Sequence, residues 1–168
     1  MNYLATCDRF WGDAAGGGYR IAWDLVTLMR DQGHRAALLC GSMDTDPAPG
    51  KSVLDGVEVI RYRFPKRAAL DPRRWHAHIS EAATAFEQHA PGHWDVVHSH
   101  MPAGALAVFP RSGQARRLYT AHSPAVLEQE INWAHAGLAG RVKRLIGMPL
   151  LRRSEASVLA AADTIHVL

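Results

Sequence analysis

The sequence alternates between short apolar segments and longer amphipathic segments, and this alternation restricts the fold more than any other feature of the chain. Short apolar runs bounded by turn residues predict buried strands, whereas apolar residues that recur every three or four positions predict helices. Strands that alternate with helices form a parallel sheet covered by helices. The sequence therefore predicts an α/β fold. The six predicted strands are Tyr3–Cys7, Arg35–Cys40, Val57–Arg63, Asp95–His100, Arg117–His122 and Thr164–Leu168.

The helices are predicted from apolar stripes and from their capping residues. The first helix opens at Gly16-Gly17-Gly18 and ends at Gly33, which is a favoured residue just past a helix end. A second helix starts at Asp71-Pro72, and a short one covers Pro102–Phe109. Residues 41–50 and 64–70 are predicted as loops. The region 125–162 is predicted as two or three helical pieces, interrupted at Gly137, Gly140 and Pro149.

Length and composition exclude several classes of protein. A chain of 168 residues with 48% hydrophobic and 21% charged residues suits one globular domain and excludes global disorder. The net charge of +3 is mild, so we predict no nucleic-acid partner. The sequence has neither an apolar run of spanning length nor a signal peptide. Two cysteines, Cys7 and Cys40, make no disulfide framework and are predicted to be core thiols in a reducing, cytoplasmic protein.

Candidate binding residues follow the predicted strands, because ligands of parallel α/β sheets bind beyond the carboxyl ends of the strands. They are the loop Asp8–Gly18, the pair His98 and His100, and His122 with Ser123. The three glycines match neither the dinucleotide fingerprint nor a Walker A loop. Glycines that open a helix nevertheless expose amides to an anion, or they simply permit a tight turn, and the sequence leaves both interpretations open.

The histidines at the strand ends allow two chemical interpretations. His98 and His100 are two residues apart in a strand and so point the same way. With His122 they form a candidate zinc set, but neither a neighbouring carboxylate nor a metalloprotease pattern accompanies them, which argues against a metal. The favoured alternative is a set of neutral imidazoles that hydrogen-bond a hydroxyl-rich ligand. His98 itself lies within the strand and is better explained as buried structure.

The segment 141–153 carries five cations among six aliphatic or methionine side chains. Such a segment is able to lie on an anionic membrane surface. The more conservative interpretation, which the sequence favours, is a helix that packs on the core and exposes a basic face to solvent.

Taken together, these segments resemble the N-terminal domain of a GT-B fold, family 4 glycosyltransferase, over essentially residues 1–168. Asp95-Val96-Val97-His98-Ser99-His100 is similar to a characteristic Asp-Val-Val-His-x-His strand of that family. The resemblance also rests on the glycine-opened helix that ends in Gly33-His34, on Thr120-Ala121-His122, and on Glu155 followed by Ala162-Asp163-Thr164-Ile165. One departure is Gly16-Gly17-Gly18-Tyr19, where the family often has alanine or valine third.

The resemblance implies a Rossmann-like, doubly wound parallel sheet that forms the N-terminal half of a two-domain enzyme. It implies a retaining enzyme that transfers a sugar from a nucleotide-sugar donor to a sugar, lipid or small-molecule acceptor, without a metal or another cofactor. By the same resemblance, Gly16 and Gly17 contact the donor phosphates, and His122 is the catalytic residue beside the transferred sugar. The implied acceptor contacts are Asp13, His100, Ser123 and Arg152.

The resemblance places most donor contacts in a C-terminal domain that these 168 residues do not include. The chain alone is therefore predicted to fold but not to transfer sugar. The alternative is a stand-alone Rossmann-like module that binds a phosphorylated or nucleotide ligand.

Overall fold

The computed structural model of the protein describes residues 1–64, 73–122, 126–127, 130–131 and 137–168, without the side chains of 138–139 and 142–143. Seven strands and four α-helices alternate along this part of the chain. In chain order they are β1 (Asn2–Arg9), α1 (Gly17–Asp31), β2 (Arg35–Ser42), β3 (Gly50–Leu54), β4 (Val57–Arg63), α2 (Arg73–His89), β5 (Val96–Ser99), α3 (Pro102–Val108), β6 (Arg116–Ala121), α4 (Gly137–Ala161) and β7 (Thr164–Val167). A short 3₁₀ turn, Phe109–Arg111, follows α3.

The strands form a single sheet in the order β3-β4-β2-β1-β5-β6-β7. All neighbours are parallel except β3, which pairs with β4 in the antiparallel direction. The chain first adds strands on one side of β1 and then, from β5 onward, on the other side. This reversal defines a doubly wound sheet and opens a crevice at the carboxyl ends of β1 and β5. The predicted α/β class and parallel sheet are confirmed.

Helices cover the two faces of the sheet unequally. Helix α1 packs on β1 and β2, where Ala22 and Val26 contact the cluster that contains Tyr3 and Leu38. Helices α2, α3 and α4 lie on the opposite face, over a larger core. That core includes Leu4, Leu39, Ile60, Phe86, Val97, Val108, Tyr119 and Val158. Alternate residues of each strand thus enter different cores, as the period of two requires.

Strand β3 was not predicted. It begins at Gly50, the last residue of the loop predicted at 41–50, and continues through residues for which no secondary structure was predicted. Its five residues are mostly exposed at the sheet edge, so they carry little of the apolar signal that marks a buried strand. The connection to β4 does carry a signal. Asp55 and Gly56 both adopt positive φ, 47° and 75°, which is the conformation of a two-residue Asp-Gly hairpin turn.

Helix α4 corrects the predicted interruptions at Gly140 and Pro149, whereas the one predicted at Gly137 coincides with the start of the helix. It begins at Gly137 but continues without interruption past Gly140 and Pro149 to Ala161. Met148 and Val158 are buried, so packing against the sheet holds the helix together where Pro149 removes one backbone hydrogen bond. The predicted start of α2 at Asp71-Pro72 and most of the loop 64–70 lie outside the described residues.

Candidate functional site

The carboxyl ends of β1 and β5 meet at the crevice and are joined by a short hydrogen bond between two hydroxyl groups. The hydroxyls of Thr6 in β1 and Ser99 in β5 are 2.7 Å apart and buried. Helix α3 approaches this pair closely through Gly104, where an added Cβ would lie 2.3 Å from Thr6 Oγ1. The absence of a side chain at Gly104 therefore lets α3 seat directly on the strands that border the crevice.

The loop between β1 and α1 is anchored by two largely buried ion pairs. Arg9 contacts Asp46 at 2.8 Å, and Arg61 Nε donates to Asp13 Oδ2 at 3.1 Å. Arg61 also lies over the ring of Phe10, at 4.8 Å from its centroid. Asp13, predicted to contact the acceptor, is thus engaged in an ion pair that fixes the loop leading to the glycines.

Helix α1 opens at the glycine run beside a histidine. Gly16 precedes the helix with an extended backbone, and no side chain caps the first turn. An added Cβ on Gly17 would meet nothing within 4 Å, whereas one on Gly18 would lie 3.1 Å from Cδ2 of His122. The fold therefore brings together the glycine-opened helix and the histidine that follows β6, as the position of both at strand ends predicts.

His98 is a structural residue that joins three strands. Its Nδ1 lies 2.7 Å from the Tyr3 hydroxyl in β1, and its Nε2 lies 2.7 Å from Thr120 Oγ1 in β6. Burial, with smaller contributions from neighbouring histidines, lowers the pKa of His98 to about 4, so the ring is neutral near pH 7. Both ring nitrogens are hydrogen-bonded, so His98 has no free nitrogen with which to bind zinc, and this argues against the candidate zinc set.

His100 and His122 form a stacked pair of imidazoles. His100 Nδ1 is 3.0 Å from His122 Nε2, and the ring centroids are 5.2 Å apart. His100 is only 2% exposed, and burial lowers its pKa to about 2. The pKa of half-buried His122 is also lowered, first by burial and then by the charge of His166. Both rings are therefore neutral near neutral pH.

The hydrogen bond between these rings favours one arrangement of their protons. His100 Nε2 is buried and has no hydrogen-bond partner among the described residues. If His122 donated the bond, the single proton of neutral His100 would sit on that unpartnered nitrogen. A buried donor without an acceptor is costly, so the reverse arrangement is favoured. His100 then donates from Nδ1, and His122 carries its own proton on Nδ1.

The remaining predicted site residues lie in different environments. His100 is buried under His122, so any influence on an acceptor is exerted through that ring. Arg152 is exposed on α4, where it lines a groove with Arg141 and Arg144. Ser123 lies outside the described residues.

Asp8 is the first residue of the candidate loop Asp8–Gly18, and no individual role was predicted for it. It lies near the end of β1, and its Oδ1 is buried without a hydrogen-bond partner in the described part of the chain. Nε2 of His78 lies 3.9 Å from this oxygen, and that nitrogen is engaged by the Tyr62 hydroxyl at 2.6 Å. Burial raises the pKa of Asp8 to about 7. A carboxylate directly after the first predicted strand was the available sequence signal.

Within residues 1–64, 73–122 and the described parts of 126–168, no group of three or more His, Cys, Asp or Glu side chains is arranged to hold a metal ion. No helix in the described part of the chain is both long and apolar enough to cross a membrane.

Comparison with protein-family models shows which family includes this chain. The family model for the glycosyl transferase 4-like domain matches residues 16–168. The chain belongs to this family. The match includes the glycine-opened helix, the histidine strand ends and the last strand, which are the segments on which the resemblance seen in the sequence depends. A search of the curated proteins finds no match.

Solved structures of two glycosyltransferases share the fold. Sucrose-phosphate synthase from Thermosynechococcus elongatus superposes with a TM-score of 0.65 at 13% identity, covering 98% of this chain and 42% of that chain. The catalytic domain of starch synthase IV from Arabidopsis thaliana, bound to ADP and acarbose, gives a TM-score of 0.57 at 15% identity, covering 74% and 34%. The chain thus spans less than half of either structure. The predicted fold, an N-terminal Rossmann-like domain of a GT-B, family 4 glycosyltransferase, is confirmed.

Proposed function

We propose that this chain is the acceptor-side domain of a two-domain glycosyltransferase, which transfers a sugar from a nucleotide-sugar donor to an acceptor hydroxyl with retention of configuration. Membership of the family supports sugar transfer as the reaction class. The observation that carries the proposal is the position of His122 beside the first turn of α1, where a Cβ added at Gly18 would lie 3.1 Å from the ring. It places a neutral imidazole and the positive end of a helix dipole side by side at the crevice.

In this proposal, Gly16 and Gly17 receive the diphosphate of the donor. The first amides of a helix have no partner within the helix, and a Cβ added at Gly17 would meet nothing within 4 Å, so the space beside it is open. Negative charge develops on the departing nucleoside diphosphate during transfer. Amides that already point at this position stabilise that charge without having to reorganise.

His122 is proposed as the catalytic residue that contacts the transferred sugar. With its Nε2 occupied by His100, its Nδ1 proton is available to donate to a sugar hydroxyl. A neutral imidazole suits this task, since a hydroxyl needs a directed hydrogen bond rather than a charge. Holding the sugar ring in a fixed orientation lowers the barrier by removing freedom of motion before the reaction.

The acceptor side of the proposal includes Asp13, Ser123 and Arg152, with His100 acting through His122. The acceptor is a sugar, a lipid or a small molecule, and we propose a cytoplasmic reaction that requires neither a metal nor a further cofactor nor nucleic acid. A second domain supplies the opposite wall of the crevice. Because donor and acceptor must be held together between two walls, the chain of 168 residues alone is not expected to transfer sugar.

The test compares two histidine variants of the complete enzyme that contains this domain. His122→Ala is expected to lower kcat at least about 100-fold, as loss of a donor to the reacting group does. His93→Ala is the matched control, because His93 is exposed at the amino edge of the sheet, beside Asp95. Its kcat is expected to stay at the wild-type value. Near-wild-type turnover of His122→Ala would show that the assigned role is wrong.

Calorimetric titration of the chain alone with nucleotide sugars addresses the need for a second domain. Weak binding is expected, since the glycine-opened helix offers only a few amides to the diphosphate. Tight, saturable binding without turnover would instead support the stand-alone binding module, and turnover would mean that the active site is complete within this chain.

A further inference from the structure

Four of the exposed large apolar side chains in the described part of the chain lie in or just before the first half of α4. Leu145 and Ile146 are 79% and 54% exposed on the helix, and Leu127 and Ile131 in the preceding segment are 54% and 56% exposed. Single exposed apolar residues are ordinary on protein surfaces, but a group of them next to cations marks a surface that binds something. The groove beside these residues is lined by Glu130, Arg141, Arg144, Leu145, Met148, Pro149 and Arg152.

The polar side chains of this surface are nearly all cationic. Arg141, Arg144, Arg152 and Arg153 are exposed on α4, whereas Glu130, which pairs with Arg144, is the one carboxylate among the residues lining the groove in the described part of the chain. At 100° per residue, Arg141, Leu145 and Arg152 project from one side of the helix. Val158, which is fully buried, projects roughly 100–140° away from these three residues, so the helix keeps a separate face for the core, and buried Met148 lies at the border of the exposed side.

The exposed face lies toward the crevice end of the sheet. The end of α4 is fixed at the amino end of β6, because Asp163 accepts a hydrogen bond from the backbone N–H of Arg117 at 2.8 Å and returns one from its own backbone N–H at 2.8 Å. From there the helix runs antiparallel to a strand of roughly 20 Å, which corresponds to about 13 helical residues. Residues near Met148 are therefore level with the end of β6 and His122, and Arg141 and Arg144 project beyond it.

We propose that this face of α4 docks on an anionic membrane surface, with Leu145 and Ile146 inserted at the level of the headgroups and the arginines on the lipid phosphates. Arginine next to exposed leucine and isoleucine is the pattern of a helix that lies in a membrane interface. A nucleic-acid backbone would use the cations but leave the apolar side chains in water. Docking would present the crevice to an acceptor carried in the membrane, but the docking itself requires no sugar chemistry.

The experiment measures binding of the 168-residue chain to vesicles by cosedimentation. The vesicles consist of phosphatidylcholine alone, or of equal parts of phosphatidylcholine and phosphatidylglycerol. The chain is expected to bind only the anionic vesicles and to be released as salt is raised. No donor or turnover is involved, so the result is independent of the proposed catalytic role of His122.

Two double variants separate the electrostatic and apolar contributions. Arg141→Gln with Arg152→Gln is expected to weaken binding about 25-fold, at roughly fivefold for each arginine near the surface. Leu145→Ser with Ile146→Ser is expected to weaken it at least about tenfold, since both side chains lose their apolar burial. Glu130→Gln, which releases Arg144, is expected to strengthen it.

Two matched controls lie on other parts of the surface. Val53→Ser removes an apolar side chain that is 69% exposed in β3, and Arg116→Gln removes an exposed cation at the amino end of β6. Both are expected to bind as wild type does. Equal binding to neutral and anionic vesicles, or equal losses in the controls, would overturn the proposal. Binding that needs the arginines but not Leu145 and Ile146 would also overturn it, in favour of a soluble anionic ligand or an acidic protein.

Discussion

Replacing Asp8 by asparagine is expected to raise the unfolding free energy relative to wild type, and this gain is expected to increase with pH. The Asp8 carboxyl is largely buried near the end of β1, its Oδ1 has no partner among the described residues, and His78 is 3.9 Å away. Burial raises its pKa from 3.8 to about 7. The folded protein therefore keeps this proton up to about pH 7, whereas the unfolded chain releases it near pH 3.8. The stabilising contribution is complete below pH 3.8 and is lost as the pH rises to about 7.

The magnitude follows from the proton-binding difference. Each pH unit between the two pKa values costs about 1.4 kcal/mol of unfolding free energy, so Asp8 costs roughly 4 kcal/mol above pH 7. The asparagine side chain does not titrate. The difference in unfolding free energy between Asp8→Asn and wild type is expected to grow by about 3 kcal/mol from pH 5 to pH 8. Comparing two pH values cancels any constant effect of the new amide.

Urea denaturation at pH 5 and pH 8, followed by circular dichroism, measures this growth. Asp24→Asn is the control, because Asp24 is exposed on α1 and pairs with Arg20 at the surface. Its stability difference from wild type is expected to be the same at both pH values. If Asp8→Asn also shows a constant difference, Asp8 ionises normally in the folded protein, and the reasoning from its burial is refuted.

Three further predictions concern the strands that border the crevice. Gly104→Ala would place a Cβ 2.3 Å from Thr6 Oγ1 and is expected to lower the unfolding free energy, measured by urea denaturation, by about 1–3 kcal/mol. Gly17→Ala, which has open space beside it, is the control and is not expected to lower the unfolding free energy by steric overlap. Tyr3→Phe leaves a nitrogen of buried His98 unpartnered and is expected to cost about 1–3 kcal/mol in the same assay. Burial lowers the pKa of His98 from 6.5 to about 4, so the neutral ring contributes roughly 3 kcal/mol to the unfolding free energy above pH 6.5, and this contribution is lost as the pH falls to about 4. An NMR titration that gives a His98 pKa near 6.5 would contradict this prediction.

The main features of the fold could be predicted from sequence because burial on both faces gives parallel strands continuous apolar runs. Each of the six predicted strands is present, within a residue or two at its ends. The edge strand β3 lacked that signal, since its exposed residues are not selected for apolar character. The continuity of α4 through Pro149 could not be read locally either, because it depends on how Met148 and Val158 pack against the rest of the domain.

For the candidate site, the sequence could predict only which residues follow the carboxyl ends of the strands, and not which side chains contact each other. That His98 and His122 lie at the same edge follows from the parallel sheet, but the partners of each ring depend on which strands are neighbours. Tyr3 and His98 are 95 residues apart and bond because β5 pairs with β1. The pattern of apolar residues does not encode that pairing. The sequence therefore predicted that His98 is buried structure, but it did not predict the partners of its ring.

Four buried titratable groups near this edge share one property, which is that burial favours their neutral forms. It raises the pKa of Asp8 and lowers those of His78, His98 and His100. Neutral groups in a poorly solvated site make directed hydrogen bonds, which suit the hydroxyls of a sugar, but they do little to balance the charge of a diphosphate. In the proposed function, the part of that charge that falls to this domain is met by the backbone amides at the start of α1. In the proposed function the glycines and His122 therefore contact different parts of one donor, and the separation of Gly18 from the His122 ring sets the distance between those parts.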